Sequence, residues 1–195
     1  MGKACGRFPS HESEKPRTLL EALCGVRFFA EPGNSNRKKA GGAAMKIGLI
    51  SDTHGLLRPE ALAALEGCEW IVHAGDIGKP EILDALRRLA PVAAVRGNND
   101  HGEWADVLPH EVELELGGLR LHVVHQPEHL PADLAARGVR VAICGHSHKP
   151  RIDERDGVLL VNPGSAGPRR FRLPIAVGRL HIDGTEVRAE LIELS

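Results

Sequence analysis

The run MKIGLI, residues 45–50, reads as a continuous apolar strand of the kind buried on both faces of a sheet. Two more such runs follow, EWIVHAGD and PVAAVRGN, and helical segments separate them. RPEALAALEG has Pro59 suited to a first helical turn and Gly67 suited to a stop. KPEILDALRRLA places Ile82, Leu83, Leu86 and Leu89 on one helical face. Alternation of this kind predicts a parallel sheet with helices packed against it.

The second half is richer in hairpins. VELEL and LRLHVVH flank a two-glycine turn, which predicts a tight antiparallel pair. PADLAARG reads as a short helix, VRVAICG as a buried strand and RIDERDGVLLVNPG as another hairpin. IAVGRLHI and EVRAELIEL close the chain as paired strands. A βαβαβ half followed by a β-rich half predicts two sheets face to face with helices outside.

The domain is expected to span residues 45–195. Residues 1–44 hold scattered Pro, Gly and Ser and a basic cluster, Arg37, Lys38 and Lys39. The apolar stretch there, LLEALCGVRFF, is interrupted by Glu21 and Arg27, unlike the core of a signal peptide. Glu12, Glu14, Glu21 and Glu31 argue against a transit peptide. The expectation is a loosely ordered extension, or one created by a start codon taken too far upstream.

Charge nearly cancels, with 25 basic against 26 acidic side chains, so no footprint for duplex nucleic acid is expected. With no Tyr, four Phe and two Trp, a base-stacking surface is not expected either. Cys5, Cys24, Cys68 and Cys144 form no C-x-x-C motif; free thiols in a reducing compartment, the cytoplasm, are expected. No apolar run reaches the roughly 20 residues of a membrane helix.

Chemistry enters at the strand ends. Asp52 and His54 follow MKIGLI, Asp76 follows WIVHAG, Asn98 follows VAAVRG, His125 follows LHVV, and His146 and His148 follow VAICG. Open α/β sheets place ligands at the carboxyl ends of their strands. Residues i and i+2 of an extended chain share a side, so Asp52 with His54, and His146 with His148, can reach a common point. Gly55, Gly75, Gly97 and Gly145 flank these residues, where the backbone is expected to turn sharply. Taken singly, Asp52 could be a helix cap, H-x-H is commonly incidental, and Asn98–Asp100 would be a turn. Order, spacing and placement together point to seven donors holding two ions, provided one carboxylate bridges them.

The string D-x-H (52–54), G-D (75–76), G-N-x-D (97–100), His125 and G-H-x-H (145–148) resembles the calcineurin-like metallophosphoesterases. Asn162-Pro163-Gly164-Ser165 and Pro168-Arg169 narrow the likeness to the small YfcE-type phosphodiesterases, relatives of the retromer subunit Vps29. The resemblance covers about Met45 to Ser195. It implies a four-layer αββα sandwich of two mixed β-sheets with a dinuclear metal site at the sheet edge. It implies one ion on Asp52, His54 and His148, another on Asn98, His125 and His146, and Asp76 bridging. It implies Mn²⁺, with Fe²⁺, Zn²⁺ and Ni²⁺ also suited to thiolate-free donors. The activity implied is hydrolysis of a small phosphodiester by a metal-bridging hydroxide. The alternatives are a non-catalytic Vps29-like scaffold, and a phosphomonoesterase or nuclease of the same superfamily. A homo-oligomer is compatible with the sequence.

Two departures stand out. Asn99 occupies the place where many superfamily members have a His thought to protonate the leaving group; the small subfamily commonly lacks it too. Gln126 follows His125 where relatives usually carry Gly. Asn99, Asp100 and His101 are the remaining catalytic candidates, His101 as a donor to the leaving group. His73 is expected to be buried and to orient Asp76 or a neighbouring ligand. His110, His129 and His181 read as surface residues, His122 is placed less well than His125, and Arg169 and Arg170 either meet the phosphate or flank a loop.

Overall fold

In the computed structural model, which describes residues 44–170 and 172–195, the first strand β1 (Met45–Ile50) pairs in parallel with β2 (Trp70–His73), and β2 with β3 (Val92–Ala94). Two short helices connect them, α1 (Pro59–Leu65) and α2 (Pro80–Arg87), each opened by a proline whose fixed φ suits the first turn. The final hairpin, β9 (Ala176–Asp183) and β10 (Glu186–Glu193), returns to this sheet: β9 runs antiparallel to β1, giving the order β10-β9-β1-β2-β3.

The second sheet has the order β4-β5-β6-β8-β7. A turn at Gly117 and Gly118, φ 60° and 80°, joins β4 (Glu111–Leu116) to β5 (Leu119–Val124). Parallel pairs link β5 to β6 (Val139–Ile143) and β6 to β8 (Val158–Asn162), and β7 (Arg151–Arg155) covers the edge antiparallel to β8. Both sheets are therefore mixed, as expected.

Alternation along β1 separates two cores. Ile50 joins Leu65, Ile71, Leu86 and Val92 in the cluster under the helices. Ile47 and Leu49, on the other face, are completely buried, as are Leu121, Val123, Val141 and Ile143 of the second sheet. Each such side chain contributes roughly 1.5–3 kcal/mol.

Three expectations are corrected. PADLAARG is not a helix; Asp133–Gly138 is a turn closed by Arg137 N–H to Asp133 O at 3.0 Å and Gly138 N–H to Ala135 O at 3.0 Å. Gly138, at φ 74°, stops it before a second turn can form, so the outer layer over the second sheet is thin. Leu89 lies past the end of α2 and is 37% exposed, off the expected face. A one-turn helix α3 (Glu103–Asp106), absent from the sequence reading, follows β3. The expectation for residues 1–44 falls on residues outside those described, Ala44 excepted. No described helix is long and apolar enough to cross a membrane.

Candidate metal centre

The parallel strands of both sheets end at one edge. Asp52 and His54 leave β1, Asp76 leaves β2 and Asn98 leaves β3; His125 leaves β5, and His146 and His148 leave β6. The seven side chains meet there. His54 Nε2 and His148 Nε2 face each other at 3.3 Å, and Asp52 Oδ1 lies 3.2 Å from His148 Nε2 and 3.9 Å from His54 Nε2. On the other side Asn98 Oδ1 is 3.0 Å from both His125 Nε2 and His146 Nδ1. Between the groups stands Asp76, whose Oδ2 is 3.8 Å from His54 Nε2 and 3.4 Å from His125 Nε2. Asp52 also has an oxygen close enough to Asp76 and His125 to share an ion with them.

Backbone conformation sets this convergence. Asp52, His54, Asp76, His146 and His148 all have positive φ, between 45° and 65°; among the described residues only Asp156 shares that condition without being glycine. Such backbone is costly for a residue with a Cβ and clusters at functional sites. The sharp turn expected at the neighbouring glycines thus falls partly on the donors themselves. Gly97 and Gly145 serve close approach instead. A Cβ on Gly97 would stand 2.0 Å from Asp76 N, and one on Gly145 2.0 Å from Ser51 Oγ.

Hydrogen bonds leave particular lone pairs free. Asp52 Oδ2 accepts from Ser51 Oγ at 2.7 Å and from His146 N at 3.1 Å, while Oδ1 is buried with no hydrogen-bond partner. A bare, buried carboxylate oxygen beside two imidazole nitrogens suits a cation. His125 Nδ1–H donates to Ala74 O at 2.8 Å, which leaves Nε2 turned toward Asn98 and Asp76. Burial pushes the His125 pKa down, yet its bonds to Asp76 and Ala74 outweigh that and raise it. Positive charge is favoured at Nε2. Burial likewise pushes Asp76 up, but His125 and two Asn99 donors hold it well below the usual carboxylate range.

A family profile described as the calcineurin-like phosphoesterase superfamily domain matches residues 45–185. The chain belongs to the calcineurin-like phosphoesterase superfamily. A probable metallophosphoesterase of Methanothermobacter thermautotrophicus is 38% identical over 163 residues, 76% of this chain and 92% of that protein. The phosphodiesterase YfcE of Escherichia coli is 32% identical over 173 residues, 74% of this chain and 92% of its own. Vacuolar protein sorting 29 of Cryptosporidium parvum superposes with a TM-score of 0.67 at 20% identity, covering 78% of this chain and 92% of that one, a likeness of fold alone.

The other candidates of this calcineurin-like domain are placed differently. Asn99 does not stand free: its N–H donates to Asp76 Oδ1 at 2.8 Å and its Nδ2 to Oδ2 at 2.6 Å. Asp100 is fully buried, and its two oxygens accept from Gly78 N and Gly97 N, each at 2.8 Å. It ties two of the turns that carry the donors. His101 is exposed. His73 is fully buried and bonds not Asp76 but Thr53, at 3.0 Å from Oγ1. The Thr53 hydroxyl proton goes to Ile77 O at 2.9 Å, so His73 Nε2 must be the donor. Burial lowers the His73 pKa to about 4. Arg170 reaches within 3.4 Å of His54 Nε2.

Sequence reading named two features of this phosphoesterase edge without assigning their structural roles. Ser165 Oγ donates to Asp52 O at 2.9 Å, and Asn162 Nδ2 to Gly145 O at 2.6 Å, so the N-P-G-S segment props both donor loops. His110 and His129, read as surface residues, are exposed but line a cavity beside Asn98 and His125. Gln126, the departure beside His125, lines the same cavity and was the signal in sequence.

Proposed function

We propose that the protein is a metal-dependent phosphodiesterase using two divalent ions, Mn²⁺ by preference, on a small phosphodiester substrate. Asp52, His54 and His148 would hold one ion, Asn98, His125 and His146 the other, and Asp76 both. One observation carries this reading: a single oxygen, Asp76 Oδ2, lies within 4 Å of nitrogens from both donor groups. The donors are oxygen and imidazole without thiolate, a set suited to first-row divalent ions. When bound, such a pair acidifies water for attack and offsets charge at phosphorus.

The chain's own residues prepare the edge for that chemistry. Ser51 and the His146 N–H fix Asp52 so that Oδ1 points inward. Ala74 O fixes the His125 tautomer, and Asn99 fixes the plane of the Asp76 carboxylate. Arg170, whose Nη2 lies 3.4 Å from His54 Nε2, would meet a phosphate oxygen there. The buried free thiols Cys68 and Cys144 support a reducing, cytoplasmic location.

The test is the purified chain with added Mn²⁺, assayed for bound ions and for hydrolysis of bis(para-nitrophenyl) phosphate and para-nitrophenyl phosphate. Two ions per chain and preference for the diester are expected. Asp76→Asn removes the charge that lets two cations share a site, and should lose both ions and turnover while keeping its circular dichroism. Preference for the monoester, or near-normal turnover by Asp76→Asn, would overturn the proposal. Ion binding without hydrolysis of either ester would favour the scaffold reading.

A further inference from the structure

A cavity of about 360 Å³ opens directly on the Asn98 and His125 side of the centre. Its wall continues through Gln126, His129 and His110. Arg96 also lines it, but that guanidinium is committed to Asp106 at 2.9 Å and to Asp100 O at 3.0 Å. Asp100 is committed to backbone N–H groups. Among the described residues no hydrogen bond or ion pair engages the side chains of Gln126, His110 or His129. Beyond the donors themselves the wall therefore offers one amide and two imidazoles, with no unpaired Arg, Lys, Asp or Glu and no aliphatic or benzenoid residue.

We infer that this cavity is the subsite for one arm of the diester, and that the arm is a compact polyhydroxylated group of glycerol or pentose size. The inference rests on the phosphodiesterase reading and names its substrate class. An amide and a neutral imidazole each donate and accept hydrogen bonds, and a hydroxyl does the same. An anionic arm would find no unpaired guanidinium or ammonium on this wall, and the apolar area it offers belongs to the carbon atoms of these same polar side chains, which suits the carbon skeleton of a polyol as well as its hydroxyls. The volume is at the small end of ligand pockets, enough for a few carbons and their hydroxyls. Gln126 supplies a long polar side chain next to His125, at a position where a glycine would leave the wall bare.

The experiment compares two competitors of bis(para-nitrophenyl) phosphate hydrolysis by the Mn²⁺-loaded full chain: glyceryl methyl phosphate and propyl methyl phosphate. They carry the same charge at phosphorus and differ by two hydroxyls. The glyceryl ester is expected to have an inhibition constant about tenfold lower, the gain of one or two well-made hydrogen bonds. In Gln126→Gly, and separately in His129→Ala, the ratio should fall to about two. Gln126 is half-buried and His129 exposed, so neither substitution removes a core side chain, and thermal melts of both variants check the fold. Equal inhibition of an active wild-type enzyme, or a ratio unchanged in both variants, overturns the subsite. A wild type that binds ions yet leaves the reporter intact overturns the phosphodiesterase reading itself, and the two failures are told apart by reporter turnover.

Discussion

Asn99 holds Asp76 with two donors, its backbone N–H on Oδ1 at 2.8 Å and its side-chain amide on Oδ2 at 2.6 Å. Oδ2 is the oxygen that faces both imidazole groups. The residue at this position therefore orients a proposed ligand. Asn99→Ala keeps the backbone bond and loses the amide. Affinity for Mn²⁺ should drop about 10- to 100-fold, the usual cost of losing a ligand's hydrogen-bond partner. Calorimetric titration of the chelator-treated protein measures it, and unchanged affinity would show that the backbone donor suffices.

An amide so occupied cannot act as a general acid. Turnover should therefore fall steeply across aryl and alkyl diesters as leaving-group pKa rises. Asn99→His should flatten that slope, since a positioned imidazole contributes roughly 10²–10⁴-fold to departure of a poor leaving group. It should also weaken ion binding, because the bond to Oδ2 is lost. A flat slope in the wild type would point to His101 or another exposed imidazole as the proton donor, and His101→Ala would then steepen it.

Acid should loosen the fold through His73. Its pKa is lowered to about 4 in the folded chain by burial, against an ordinary value of 6.5. The unfolded chain thus binds the extra proton between those values, and stability falls as pH drops from about 6.5 to about 4, by on the order of 3 kcal/mol. Urea unfolding of ion-free protein across that window measures the slope. His73→Gln can still donate to Thr53 and should be flatter; an equal slope would assign the effect to other groups.

Gly97→Ala should be far worse than Gly118→Ala. A Cβ at Gly97 meets Asp76 N at 2.0 Å and Asp76 Oδ1 at 2.2 Å, and backbone cannot step aside cheaply. A loss of about 3 kcal/mol, with loss of bound metal, is expected. Gly118 has φ of 80° but open space around it, so only the left-handed penalty of roughly 1–2 kcal/mol applies. Thermal melts of the two variants rank them.

Much of the fold was legible because buried strands are written as unbroken apolar runs and their ends carry donors. MKIGLI and VAICG were readable for that reason, and so was the convergence of Asp52, His54, His146 and His148. What failed lacked a local signal. Nothing in IAVGRLHI says that it will lie beside β1, because long-range pairing depends on which sheet has a free edge. PADLAARG has helical composition, but the seven residues before Gly138 cannot sustain a helix that buries only Leu134 deeply. Gly97 and Gly145 look like turn residues in sequence, and only three dimensions show the atoms pressing on them. The cavity beside His125 draws His110 and Gln126 from separate loops, so no spacing rule could join them.

Five donors on left-handed backbone hold about 5 kcal/mol of conformational strain, taking roughly 1 kcal/mol for each. That is comparable with the whole margin of a small domain. Replacing His148 by glycine should therefore make the ion-free protein harder to melt even as it disables the edge. Chemistry and durability pull in opposite directions here, and selection for mere persistence would erase these residues first.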